Sequence, residues 1–65
     1  MNFKIIDQKR RDKNLTISEL CRQANINRKT YYKALENPAG VRFSTADKLA
    51  KTLKLNAAEK SQIFN

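Results

Sequence analysis

The run Asn27-Arg28-Lys29-Thr30-Tyr31-Tyr32-Lys33 concentrates binding chemistry, with three cations, two phenols, a hydroxyl, an amide and no acid. Arginine and lysine donate several hydrogen bonds and accept none, which suits phosphate oxygens and the acceptor atoms on base edges. If the run is helical, Tyr31 and Leu35 fall four apart with Ala34 beside them and form an inward edge. Arg28, Lys29, Tyr32 and Lys33 then face outward. Catalytic chemistry lacks its parts. The chain has no histidine and one cysteine, Cys21, which leaves no zinc set and no metal site. Glu19, Asp47 and Glu59 are accounted for as helix caps, and Asp7, Asp12 and Glu36 are scattered. No acid–base pair can be assembled, so neither an enzyme nor a cofactor nor a small-molecule ligand is expected.

Charge points the same way. Fourteen Lys and Arg stand against six Asp and Glu, a net charge of +8 on 65 residues. Self-repulsion at that density is relieved by a polyanionic partner. The chain reads as a single domain over residues 1–65, and a domain of this size buries only roughly 60% of its unfolded surface. With one cysteine it has no internal disulfide to help. Met1 to Arg11 lacks the apolar run of a signal peptide, and no stretch approaches a membrane span, so a cytoplasmic protein without a membrane partner is expected.

Five short helices would position the cationic run, and alternation never persists long enough for a strand. Three of them open on a small polar cap followed three residues later by an acid: Thr16…Glu19, Ser44…Asp47 and Asn56…Glu59. The first helix covers roughly Asn2 to Asp12, with Phe3, Ile5 and Ile6 apolar and a charged second half. The second runs from Ile17 to about Ala24, with Leu20, Cys21 and Ala24 inward. Asn25 tolerates the left-handed stop, Ile26 pins the turn, and Asn27 caps a third helix from Arg28 to about Leu35. Asn37-Pro38-Ala39-Gly40 is a turn, after which Val41 and Phe43 rejoin the core. A fourth helix from Thr45 to about Lys54 carries Ala46, Leu49, Ala50 and Leu53 on one stripe, with Lys48, Lys51 and Lys54 as outer surface. A last one carries Ala58 and Ile63. The fold class is all-α, a compact bundle with a helix-turn-helix at its second and third helices.

With those stretches in place, the chain resembles the lambda-repressor-like (Cro/XRE-type) DNA-binding family. The likeness rests on Arg10 through Leu15, Thr16-Ile17-Ser18-Glu19-Leu20-Cys21, Ile26-Asn27-Arg28-Lys29-Thr30, Glu36-Asn37 and Leu49-Ala50-Lys51-Thr52-Leu53. Cys21 stands where family members usually have Ala, and Asn25 where they usually have Gly. Lys9 takes a commonly apolar place, and Glu36-Asn37-Pro38 follows one extra residue. The resemblance implies a double-stranded DNA operator as partner, a homodimer on palindromic sites, and an Arg10–Glu36 pair. It also implies phosphate contacts from Thr16, the Ile17 amide, Asn37 and Arg42.

Side chains at the N-terminal end of a groove-borne helix meet base edges first. Arg28 and Lys29 are therefore the leading base readers, with Tyr32 and Lys33 one turn further on. Asn27 and Thr30 suit phosphates, and Asn27 doubles as a helix cap. Lys9, Arg10, Arg11 and Lys13 either flank the groove, Arg10 as a further phosphate contact, or cover the first helix with their stems. Ile63 and Phe64 are the candidate dimer surface. Cys21 and Tyr31 read as packed residues. The expected function is a sequence-specific transcriptional regulator, a small repressor of phage or mobile-element type. Two other readings stand beside it. One is the antitoxin of an addiction pair, which the Tyr31-Tyr32-Lys33-Ala34-Leu35 and Asn37-Pro38 run resembles. The other is a protein-interaction module that uses the fold without DNA.

Overall fold

A computed structural model describes residues 1–64. Five α-helices follow one another: α1 (Phe3–Asp12), α2 (Ile17–Ala24), α3 (Arg28–Glu36), α4 (Phe43–Thr52) and α5 (Ala57–Phe64). A 3-10 turn, Pro38–Gly40, links α3 to α4, and there is no strand among the described residues. The all-α bundle expected from periodicity is the fold observed.

Each helix buries one stripe. Phe3 and Ile6 from α1, Leu20 from α2, Tyr31 from α3, Leu49 from α4 and Ile63 from α5 are all fully buried. α2 packs against α4 and α3, while α1 packs against α3, α4 and α5. The buried positions Cys21 and Ala24 on α2, and Ala46 and Ala50 on α4, are small. Small side chains let short helices approach closely enough to share a thin core. Burial pushes the Cys21 thiol up from its ordinary value, in keeping with a packed, inert residue.

Three helices stop in one way. Asn14, Asn25 and Lys54 adopt left-handed backbone, with φ of 57°, 58° and 57°. In each case the next residue is apolar, and its N–H reaches back to a carbonyl five residues earlier. Leu15 bonds Arg10 at 3.2 Å, Ile26 bonds Cys21 at 2.8 Å, and Leu55 bonds Ala50 at 3.1 Å. This closure satisfies orphan carbonyls and turns an apolar residue back over the helix end. Asparagine carries a readable tolerance for this backbone at Asn14 and Asn25, whereas lysine at position 54 has no side-chain preference to betray it.

Helix starts divide. Thr16 Oγ1 accepts from the Glu19 amide at 3.0 Å while Glu19 accepts from the Thr16 amide at 3.0 Å. Asn56 and Glu59 do the same at 2.8 and 3.0 Å. The third expected box does not form. α4 begins at Phe43 with Arg42 as its cap residue, so Ser44 and Thr45 lie inside the first turn. The amides of Thr45 and Ala46 bond the Arg42 carbonyl instead, at 3.1 and 3.2 Å, and Asp47 pairs with Lys51 at 3.1 Å. The early start also corrects the placement of Phe43, which is 64% exposed and not in the core. α4 ends at Thr52, short of Lys54, and Ala58 is exposed on α5.

Thr16→Ala is expected to lower unfolding free energy by about 1 kcal/mol, and Ser44→Ala by less than about 0.5 kcal/mol. Denaturant unfolding of the two variants checks this; equal losses would mean that Ser44 caps α4 after all.

Candidate nucleic-acid interface

α3 is nine residues long and amphipathic. Asn27 opens it by accepting the Lys29 amide at 2.8 Å. Tyr31 and Ala34 are buried, and Leu35 is half-buried against the core. Arg28, Lys29, Thr30, Tyr32 and Lys33 are exposed, Tyr32 at 51%. The expected outward set is thus on one free face.

Neighbouring elements extend that face at both ends. At the N-terminal end, Arg28 Nη1 donates to Ser18 Oγ at 3.2 Å, which joins α3 to the first turn of α2. Thr16 caps that turn and is exposed. The Ile17 amide is among the N-terminal donors that a helix cannot satisfy internally, at the positive end of the helix dipole. At the other end, Thr30, Lys33, Asn37, Arg42 and Thr45 line a cleft of about 340 Å³ between α3 and the start of α4, with Glu36 at its rim. The residues expected at phosphates, Thr30, Asn37 and Arg42, therefore gather with Lys33, whereas Thr16 and Ile17 gather with Arg28.

Arg10 is elsewhere. Its guanidinium donates through Nε to Asp7 Oδ1 at 3.0 Å and through Nη1 to the Leu15 carbonyl at 2.7 Å. Only 13% of the side chain is exposed. Arg10 pairs with Asp7 instead of Glu36, so the pair implied by the resemblance is replaced by one within α1. Arg11 joins from the outside at 3.1 Å, and Lys9 crosses to Glu59 on α5 at 2.7 Å. Among the described residues, ion pairs engage Lys9, Arg10, Arg11 and Lys51, whereas Arg28, Lys29, Lys33 and Arg42 are in none. These pairs thus take up cations of α1 and α4 and none of α3.

Two participants escaped sequence reasoning. Asp7 is the buried charged residue, 7% exposed, and its Oδ1 accepts the Tyr31 hydroxyl at 2.8 Å. Burial raises the Asp7 carboxyl, but the bonds from Tyr31 and Arg10, with the charges of Arg10 and Arg11, outweigh it and hold the group below its ordinary 3.8. Burial, followed by the bond to Asp7, pushes the Tyr31 phenol up. The spacing of Asp7 from Arg10 and Arg11, three and four residues, was a readable signal. Ser18 carried none beyond its place beside the Thr16 cap.

A family model described as the Cro/C1-type HTH DNA-binding domain matches residues 6–59. No curated protein and no solved structure matches the chain.

A carboxylate whose native pKa is depressed stabilises the fold above its unfolded pKa, and that contribution disappears as pH falls through the native value. Glu19 and Glu59 are lowered too, Glu19 first by the Thr16 amide and Glu59 first by Lys9, so acid sensitivity of the whole chain has several sources. Comparison with Asp7→Asn isolates one. The stability gap between parent and variant should be constant above about pH 5 and narrow as pH falls from there toward about pH 2. A gap constant across that lower range, measured by denaturant unfolding, would contradict a depressed Asp7 carboxyl in the native state.

Proposed function

The chain belongs to the Cro/C1-type helix-turn-helix DNA-binding family, and we propose that it is a sequence-specific transcriptional regulator, a small repressor of phage or mobile-element type. α3 lies in the major groove of double-stranded DNA, whose width admits a helix. Arg28 and Lys29 read base edges at its leading end, with guanine O6 and N7 as matching acceptors. Tyr32 and Lys33 follow one turn on. Thr16 and the Ile17 amide hold a phosphate at the start of α2, and Asn27 contacts the backbone at the start of α3. Thr30, Asn37 and Arg42 hold the backbone at the far end of α3. The observation that carries this reading is the exposed cationic face of α3, free of ion pairs among the described residues and flanked at both ends by phosphate-suited donors. The protein works where its operator is, in the cytoplasm.

We assign the dimer surface to an aromatic pair. Ile63 is fully buried and Phe64 half-buried, so the tail alone offers little. Exposed Phe43 stacks on Phe64 with ring centroids 4.7 Å apart. A second copy docked on this pair would cover the exposed Phe43, next in sequence to Arg42. Two-fold symmetry of such a pair matches a palindromic operator.

Selection of duplexes from a random pool tests both halves. The selected sites should be inverted repeats, with affinity falling by orders of magnitude from about 50 to 200 mM salt. Arg28→Ala or Lys29→Ala should each relax one base position at a cost of about 1–3 kcal/mol, whereas Arg42→Ala weakens all sequences alike and reduces the salt slope by about one. No enrichment of any sequence, together with salt-insensitive binding to a protein partner, would favour the interaction-module reading. Unpaired half-sites would remove the dimer.

A further inference from the structure

We propose that Asp7 and Arg10 are positioning residues for DNA reading, their part-buried pair fixing α3 against the start of α2 through the Tyr31 hydroxyl and the Leu15 carbonyl. This role rests on the DNA-reading function proposed above. One carboxylate oxygen, Asp7 Oδ1, receives the Tyr31 hydroxyl at 2.8 Å and Arg10 Nε at 3.0 Å. The same guanidinium ends on the Leu15 carbonyl at 2.7 Å, one residue before the Thr16 cap. The two elements assigned to the duplex are thus tied to a single ion pair on α1, which touches neither groove nor phosphate itself.

Apolar contacts alone would tolerate small slides and rotations of α3. Hydrogen bonds do not, because they weaken steeply outside a narrow range of distance and angle. Tyr31 sits between Thr30 and Tyr32 and one turn from Arg28. Rotation of α3 about its axis therefore moves the phenol off Asp7 and the cations off the groove together. Phe3 holds the Tyr31 ring edge-on, with centroids 5.1 Å apart and planes at 72°, so the ring has a seat independent of its hydroxyl. A buried ion pair is often near neutral for stability when compared with apolar residues of similar size, which leaves directional specificity as its more distinctive contribution.

Tyr31→Phe is the clean variant, because the ring and its seat are kept and only the bond to Asp7 is lost. Asp7→Asn is the second, keeping an acceptor but removing the charge. Both would first be shown folded by denaturant titration, then measured against a pool-selected duplex and a scrambled duplex at the same salt. Tyr31→Phe should lose about three- to tenfold on the selected duplex and less than about twofold on the scrambled one, at an unchanged salt slope. Asp7→Asn should shift the ratio in the same direction. A merely structural role would weaken both duplexes in proportion to the folded fraction. If both variants keep the parent's selected-to-scrambled ratio, positioning is overturned while the function stands. If the parent itself shows no preference, the function proposed above fails first, and this role falls with it.

Discussion

The buried Tyr31 side chain, its ring against Phe3 and its hydroxyl bonded to Asp7, turns one edge of α3 inward and leaves the other to solvent. A helix of nine residues has two and a half turns, so fixing one side chain fixes the rest. With Tyr31 and Ala34 turned in, Arg28, Lys29, Tyr32 and Lys33 have only the outside to occupy. The phenol needs a partner because a buried hydroxyl left unpaired costs more than a bond normally contributes. Asp7 in turn needs cations, which Arg10 and Arg11 supply from the next turn of α1. No buried side-chain polar atom among the described residues lacks a partner. One chain of dependence therefore runs from a surface arginine, through the core, to the exposed cationic face.

Charge is sorted as well as balanced. Six acids cannot neutralise fourteen bases, so their placement determines where positive potential remains. Asp7 and Glu59 hold Arg10, Arg11 and Lys9 on the α1 side, and Asp47 holds Lys51 on α4. Glu19 is committed to the α2 cap. Among the described residues, Arg28, Lys29, Lys33 and Arg42 are in no ion pair and gather on α3 and beside it, and the cost of that concentration is met when phosphates replace solvent counterions.

Much of this was legible in the residues, and the exceptions have definite causes. The helix count, the Thr16 and Asn56 caps, the Asn25 stop and the inward set of Tyr31 and Ala34 follow from spacing and local chemistry. α4 was misplaced because Arg42 through Thr45 offers competing starts, and a cap motif cannot say which one the packing of Val41 will favour. Phe43 becomes the first residue of α4 and lies exposed, while the stripe of Ala46, Leu49, Ala50 and Leu53 is buried as expected. Ile63 and Phe64 are adjacent and both apolar, yet one is buried and the other flanks Phe43. Only the α1–α5 contact distinguishes them, and that contact is not local. The Asp7 network was missed for a related reason. Its members on α1 are close in sequence, but the group that makes burial worthwhile, the Tyr31 hydroxyl, lies 24 residues away.

Titration of a short selected duplex into isotopically labelled protein, followed by backbone amide shifts, is the most direct trial of the outward face of α3. The largest changes should fall at Arg28, Lys29, Tyr32 and Lys33, with smaller ones at Phe43 and Phe64 where two copies meet. Changes centred on Lys48 and Lys51 of α4, with α3 undisturbed, would show that another surface meets the nucleic acid.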